Sequence, residues 1–245
     1  MDLESFNTSR ESLVPLLALN NKSNKNIIIF PTDKEAIEFS TDFSNLNKNI
    51  FHLPSWDTLS YDSFVPSFDI QGKRLEIAHL LLTNNNYNIA TSIKAISQRI
   101  YFEELEICKI ELNEEIDFDS LIENLIHLKY QRKDRVESKG SFAVRGGQLD
   151  VYPINYDLPL RVIFDGDLVN EIKTFDTISQ RSVSEKKDIL IVPATELFQI
   201  KHSDILNLSS DKKENLDDYE LFQYSQNLDL EKCFLDLTSN VSLHI

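Results

Sequence analysis

The chain has 245 residues, 41% hydrophobic and 27% charged, with five glycines and seven prolines. That balance excludes a wholly disordered chain, a fibre and a linker-rich architecture, and the length allows one large domain or two ordinary ones. Lys+Arg 25 against Asp+Glu 40 leaves a net charge of −15, which argues against non-specific binding to nucleic acid or anionic membranes as the main task.

Residues 1–111 are expected to form an α/β unit. Thr8 and Glu11 have capping-box spacing ahead of LVPLLAL, although Pro15 suits a long helix poorly. The apolar run Ile27–Phe30 has the pattern of a strand buried on both faces, and Pro31 ends it. Thr32 and Glu35 form a second capping box, opening a helix with Ala36, Ile37, Phe39 and Phe43 on one face. Ile50–Leu53 predicts another strand. Asp69 is placed to cap a helix whose apolar face is Ile70, Leu75, Ile77, Ala78, Leu81 and Leu82. Asn88–Thr91 predicts a further strand, and Ser92 caps the helix after it. Strand and helix alternate, which predicts a parallel sheet covered by helices.

Over residues 112–193 the periodicity changes. One helix near Phe118–Leu128 is followed by short strands at Ser141–Val144, Gln148–Tyr152, Leu160–Phe164, Leu168–Phe175 and Ile189–Val192. Gly146–Gly147 and Asp165–Gly166 are two-residue hairpin signals. A small, mainly antiparallel α+β unit is therefore expected, inserted after the α/β one. Residues 194–245 are the most acidic stretch for their length.

Catalytic patterns are missing. The first glycine is Gly72, and neither G-x-x-x-x-G-K-[ST] nor G-x-G-x-x-G occurs. Without glycines, backbone N–H groups cannot approach a nucleotide's phosphates, so no autonomous nucleotide-binding loop and no cofactor are expected. His52, His79, His127, His202 and His244 are scattered, Cys108 and Cys233 lie far apart, and no metal-ligand spacing results. The two thiols are expected to be buried or half-buried, as in a reducing compartment. Asp165 and Asp167 flank a turn glycine and read as turn-formers rather than an acid–base pair. No apolar run approaches the ~18 residues of a membrane helix, and no signal peptide is visible, so the expected location is cytoplasmic.

Two clusters stand out. Tyr130–Gly147 holds Arg132, Lys133, Arg135, Lys139 and Arg145 against Asp134 and Glu137, a net +3 within an acidic chain. Such a cluster is either a solvated hairpin face or a docking surface for an acidic patch, which the planar guanidinium suits. Leu53–Asp69 holds Trp56, Tyr61, Phe64 and Phe68. These aromatics fit an ordered loop covering a sheet edge, with Trp56 largely buried. A nucleic-acid stacking platform is disfavoured, because interleaved Lys or Arg is absent.

LPSWDTLSYDSFVPSFDI at 53–70 with Arg74 and Leu75, GSFAVRGGQLDVYP at 140–153, and PLRVIFDGDLVNEIKTFD at 159–176 with SQRS at 179–182 and PATE at 193–196 together resemble the N-terminal region of the bacterial transcription-repair coupling factors. The excision-repair subunit UvrB shares the region. It carries a nucleotide loop before the strand matching Ile27–Phe30, and a long aromatic hairpin for which the seven residues between Pro66 and Arg74 leave no room.

The resemblance implies a degenerate helicase-type (RecA-like) parallel-sheet domain in residues 1–111. It implies an inserted UvrA-interaction domain at 112–193. It implies a return to the first domain in 194–245, with the start of a further, truncated one. It further implies a non-catalytic module that recruits the excision-repair protein UvrA to stalled RNA polymerase. In the full-length family protein, RNA polymerase and double-stranded DNA are partners, and ATP and Mg serve a translocase outside these residues. The alternative is a UvrB-like subunit, or a helicase or translocase whose catalytic part lies on a C-terminal segment outside this chain. Partner-binding positions carried over are Arg145, Arg161, Phe164 and Asp165. Asp165 stands where the family usually has a second aromatic.

Overall fold

The computed structural model describes residues 3–4, 25–45, 49–59, 64–83, 86–99, 104–199 and 242–244. Expectations placed on Thr8–Glu11, Tyr61, His202, Cys233 and most of 194–245 lie outside them.

The first sheet has five parallel strands in the order β1-β13-β2-β4-β3. They are β1 (Leu3–Glu4), β2 (Lys25–Phe30), β3 (Phe51–Leu53), β4 (Tyr87–Ser92) and β13 (Ser242–His244). The expected parallel sheet is thus present. Ile27, Ile28, Ile29 and Phe30 are all buried, because helices cover both faces of β2. Helix α1 (Asp33–Ser44) seats Ala36, Phe39 and Phe43 against Ile28, Phe30 and Ala90. Helix α2 (Phe68–Thr83) seats Leu75, Ile77, Ala78 and Leu81 against Ile27, Ile29, Leu53 and Ile89 on the opposite face. Full burial of each such side chain is worth roughly 1.5–3 kcal/mol.

The capping box at Thr32 is formed: its Oγ1 accepts from Glu35 N at 3.3 Å and donates to Glu35 Oε1 at 3.1 Å. Ser92 caps α3 (Ile93–Ser97) by accepting from Ala95 N at 3.0 Å. Two details differ from expectation. Ile37 and Leu82 are exposed, because the stripe that meets the sheet is narrower than the apolar pattern. Asp69 lies inside the first turn of α2 rather than capping it, and its carboxylate instead pairs with Lys139.

The second unit is built on a six-stranded sheet ordered β11-β10-β9-β8-β7-β6. Its strands are β6 (Gln131–Arg132), β7 (Ser141–Arg145), β8 (Gln148–Tyr152), β9 (Leu160–Asp165), β10 (Leu168–Phe175) and β11 (Ser182–Glu185). All neighbours are antiparallel except β6 and β7. Gly146, with φ +61°, turns β7 into β8 so that Arg145 faces Gln148, a left-handed position that favours glycine. The next turn is shifted by one residue from expectation. Asp165 ends β9 opposite Leu168, leaving Gly166 and Asp167 as the turn. Helix α4 (Phe118–His127) is capped by Asp117, which accepts from Ser120 N at 2.8 Å.

Leu121, Ile122 and Leu125 of α4 pack on one face of this sheet, against Phe142, Leu149, Val151, Leu160, Val162 and Ile172. A ribbon of β5 (Cys108–Glu111) and β12 (Asp188–Ile191) completes this core through Cys108, Ile110, Ile189 and Ile191. The second core therefore draws on residues before position 112. Burial pushes the Cys108 thiol up to about 11, with Glu114 adding to it.

The two units share a seam. Ile154, Val192 and Phe198 join the core under α2. Gly72 lets the helix touch the second unit's backbone, since a Cβ there would stand 2.5 Å from the Ile154 carbonyl oxygen. Arg74 is buried and donates through Nε to Glu196 Oε1 at 2.8 Å, and through Nη1 to Pro54 O at 2.9 Å and Gln98 Oε1 at 3.0 Å. Trp56, 8% exposed, stacks beneath that guanidinium at 5.0 Å and donates from Nε1 to Glu196. Trp56 is thus the buried, structural residue expected.

Candidate interaction face

The six-stranded sheet has two unlike faces. Strand alternation sends Phe142, Leu149, Val151, Leu160, Val162 and Phe164 to the α4 core. The register sends Arg145, Gln148, Asp150, Arg161, Ile163 and Asp165 to the other side, with Arg145 opposite Gln148 and Asp150 opposite Arg161. Both expected arginines therefore lie on one face, though on β7 and β9 with β8 between them rather than on adjacent strands.

Their environments differ. Arg161 is clamped by a bidentate pair, Nε to Asp150 Oδ1 at 2.7 Å and Nη2 to Asp150 Oδ2 at 2.8 Å. Its guanidinium lies 4.5 Å from the centre of the Phe175 ring, and Nη1 donates to Gln180 O at 3.2 Å. The hydrogen bond to Asp150 holds the guanidinium protonated even more firmly than usual. Arg161 is therefore already matched to a carboxylate of its own chain. Arg145 is exposed and donates from Nη2 to Asp134 O at 2.9 Å, leaving the rest of its fork at the surface.

Phe164 is not part of this face. It is 7% exposed and meets Phe118 edge-on at 4.8 Å between ring centres. It sits one residue out of step with Arg161 and Asp165, so pleating turns it into the core. Asp165 is exposed on the arginine side, at the hairpin end.

The basic cluster of 130–147 partly covers the face. Its loop carries Val136, 1% exposed, onto Ala143 and Phe175. This apolar plug, hidden among charges, holds Arg135 across the sheet. Arg135 Nη2 then donates to Thr177 O at 3.0 Å and Ile178 O at 3.3 Å, in the turn between β10 and β11. Sequence reasoning missed Val136, Asp150 and this turn. For Val136 the signal was a single apolar residue inside a charged run.

Among the described residues, no group of three or more His, Cys, Asp or Glu side chains could hold a metal ion. Among them too, no helix is long and apolar enough to cross a membrane.

Residues 108–197, which hold this sheet and α4, match the family model of the UvrB interaction domain. The chain is also similar to the transcription-repair-coupling factor of Escherichia coli strain K12, 29% identical over 174 residues, 69% of this chain and 15% of that protein. The factor of Myxococcus xanthus is 32% identical over 159 residues, 63% of this chain and 13% of that protein. UvrABC system protein B of Thermosipho africanus is 25% identical over 190 residues, 70% of this chain and 28% of that protein. The resemblance carried by the three sequence blocks is thus borne out: the chain is similar to transcription-repair-coupling factors over most of its length, and its second unit to the UvrB interaction domain. The chain spans less than a third of the length of these curated relatives.

Proposed function

We propose that this chain is a non-catalytic, cytoplasmic interaction module of a transcription-repair coupling factor, and that it recruits the excision-repair protein UvrA to stalled RNA polymerase. The observation that carries this is the polar sheet face, where Arg145 presents its fork to solvent beside the Asp150–Arg161 pair. An acidic partner surface can meet Arg145 bidentately. RNA polymerase and double-stranded DNA are partners of the longer protein. We read the front sheet as a degenerate helicase-type, RecA-like domain.

The sequence supports the non-catalytic part of the reading, since neither G-x-x-x-x-G-K-[ST] nor G-x-G-x-x-G occurs and the first glycine is Gly72. ATP and magnesium then serve only parts of the longer protein outside this chain.

The test is a calorimetric titration of the chain against UvrA from the same organism. Wild type should bind. Arg145→Glu should weaken binding by roughly 30-fold or more, since an unpaired interfacial carboxylate costs about 2–5 kcal/mol. Asp165→Phe should tighten it by removing a negative charge from the arginine side. Absence of wild-type binding, or micromolar ATP binding in a parallel titration, would overturn the reading.

A further inference from the structure

The turn from Asp176 to Arg181, on the polar side, is tightly built. Asp176 Oδ1 accepts from Ser179 N at 2.7 Å and Ser179 Oγ at 2.8 Å. Its main chain closes the loop, with Asp176 N donating to Arg181 O at 3.0 Å and Gln180 N to Asp176 O at 2.8 Å. Gln180 sits at φ +59°, a left-handed conformation that a non-glycine residue holds only where its surroundings fix it. Two arginines from elsewhere in the chain fix it: Arg135 on Thr177 O and Ile178 O, and Arg161 on Gln180 O.

What this loop presents is apolar. Ile178, at its crest, is 87% exposed, and Val183 just beyond is 60% exposed. A lone exposed aliphatic is ordinary. Here, however, it is raised on a turn braced by Arg135 and ended by the exposed Arg181. An anchor held in one position loses little entropy when it is buried, which is the arrangement binding hot spots favour.

We infer that the Asp176–Arg181 turn is the apolar anchor of the docking face, with Ile178 as its contact residue and Arg135 and Arg161 as positioning residues. This deepens the proposed function and rests on it. The partner surface that fits is a protein patch with a small apolar pocket rimmed by carboxylates. The pocket takes Ile178, and the carboxylates meet Arg181. Duplex DNA fits poorly, since it has no apolar pocket and is repelled by a chain of net charge −15.

The experiment titrates the full chain against immobilised UvrA from the same organism, with thermal melting in parallel. Ile178→Ser should weaken binding at least about tenfold, as loss of a buried anchor does, without lowering the melting temperature. Ile178→Leu should restore it. Arg135→Ala should weaken binding in the wild type but add little to Ile178→Ser, because it acts through the turn. If wild type binds and Ile178→Ser binds equally well, the anchor is wrong while the interaction face stands. If Arg145→Glu leaves binding unchanged while Ile178→Ser abolishes it, the anchor stands without the arginine contact. If wild type does not bind UvrA, both fall. If Ile178→Ser weakens duplex DNA binding instead, the partner class is wrong and the inference falls.

Discussion

Two regions of the molecule are organised around an arginine paired with a carboxylate, and they differ in how much water reaches them. At the seam between the units, the side chains of Arg74 and Glu196 are 0% and 4% exposed. On the interaction face, those of Arg161 and Asp150 are 16% and 6% exposed. At the seam, the guanidinium is turned inward to Pro54 O and Gln98, with Trp56 against its face. On the sheet, the clamped guanidinium reaches outward to the carbonyl of Gln180. The first arrangement joins two units; the second shapes a surface. Arg145, at the exposed end of the series, is the one whose fork can meet another protein. Residue type does not separate these roles; what surrounds each fork does.

The sharpest test of this contrast is the seam. Burial pushes the Glu196 carboxyl up in pKa, while Arg74 and Trp56 oppose the shift. Arg74→Met would leave that carboxylate dry and without its cation, a loss of about 3–5 kcal/mol in unfolding free energy. Adding Glu196→Gln should recover part of it. A loss below about 1 kcal/mol in urea unfolding would mean that the seam admits water, and the contrast with the open face would disappear.

Next in size is Gly72→Ala. Alanine favours a helix interior by up to about 1 kcal/mol, but here its Cβ would stand 2.5 Å from the Ile154 oxygen. The obstacle is backbone, so the units must part and the net change should be a loss of about 1–3 kcal/mol. Net stabilisation in the same urea measurement would show that α2 and the second unit are free to slide.

Arg161→Ala should come third. It strips Asp150 of its fork and leaves Gln148 as a weaker donor at 3.0 Å, at a cost of about 1–3 kcal/mol. An arginine read from sequence as a surface contact thus becomes one whose loss lowers the melting temperature. A melting curve unchanged by Arg161→Ala would return it to the role of direct contact.

What was legible in the sequence was local. Thr32 with Glu35, the run Ile27–Phe30, Ser92 and the Gly146–Gly147 turn each state their structure within a few residues. The three motif blocks carried the resemblance that the family match bears out. What was hidden depends on partners far along the chain. Glu196 meets Arg74 across 122 positions, and no pattern near either residue announces it. Cys108–Glu111 is a short strand completed by Asp188–Ile191. Ser182–Glu185 is exposed throughout, so it carries no apolar period to read. Phe164 belongs to the motif yet lies in the core, because a motif match names positions in order, while pleating sends alternate ones to opposite faces.

The smallest effect on stability and the clearest on the comparison belongs to Arg145→Ala. Arg145 is exposed, and its hydrogen bond is to a loop carbonyl, Asp134 O. A surface substitution of this kind should change unfolding free energy by no more than about 0.5 kcal/mol. Removal of the side chain therefore leaves the face around it in place, unlike removal of Arg74 or Arg161. Measured on one preparation, the three alanine or methionine variants should rank Arg74, Arg161, Arg145 in lost stability. In lost UvrA affinity per unit of lost stability, the order should reverse. If Arg145→Ala proved as destabilising as Arg161→Ala, its contact with Asp134 O would be holding the Val136 loop in place. The surface role would then pass to the turn that the loop supports.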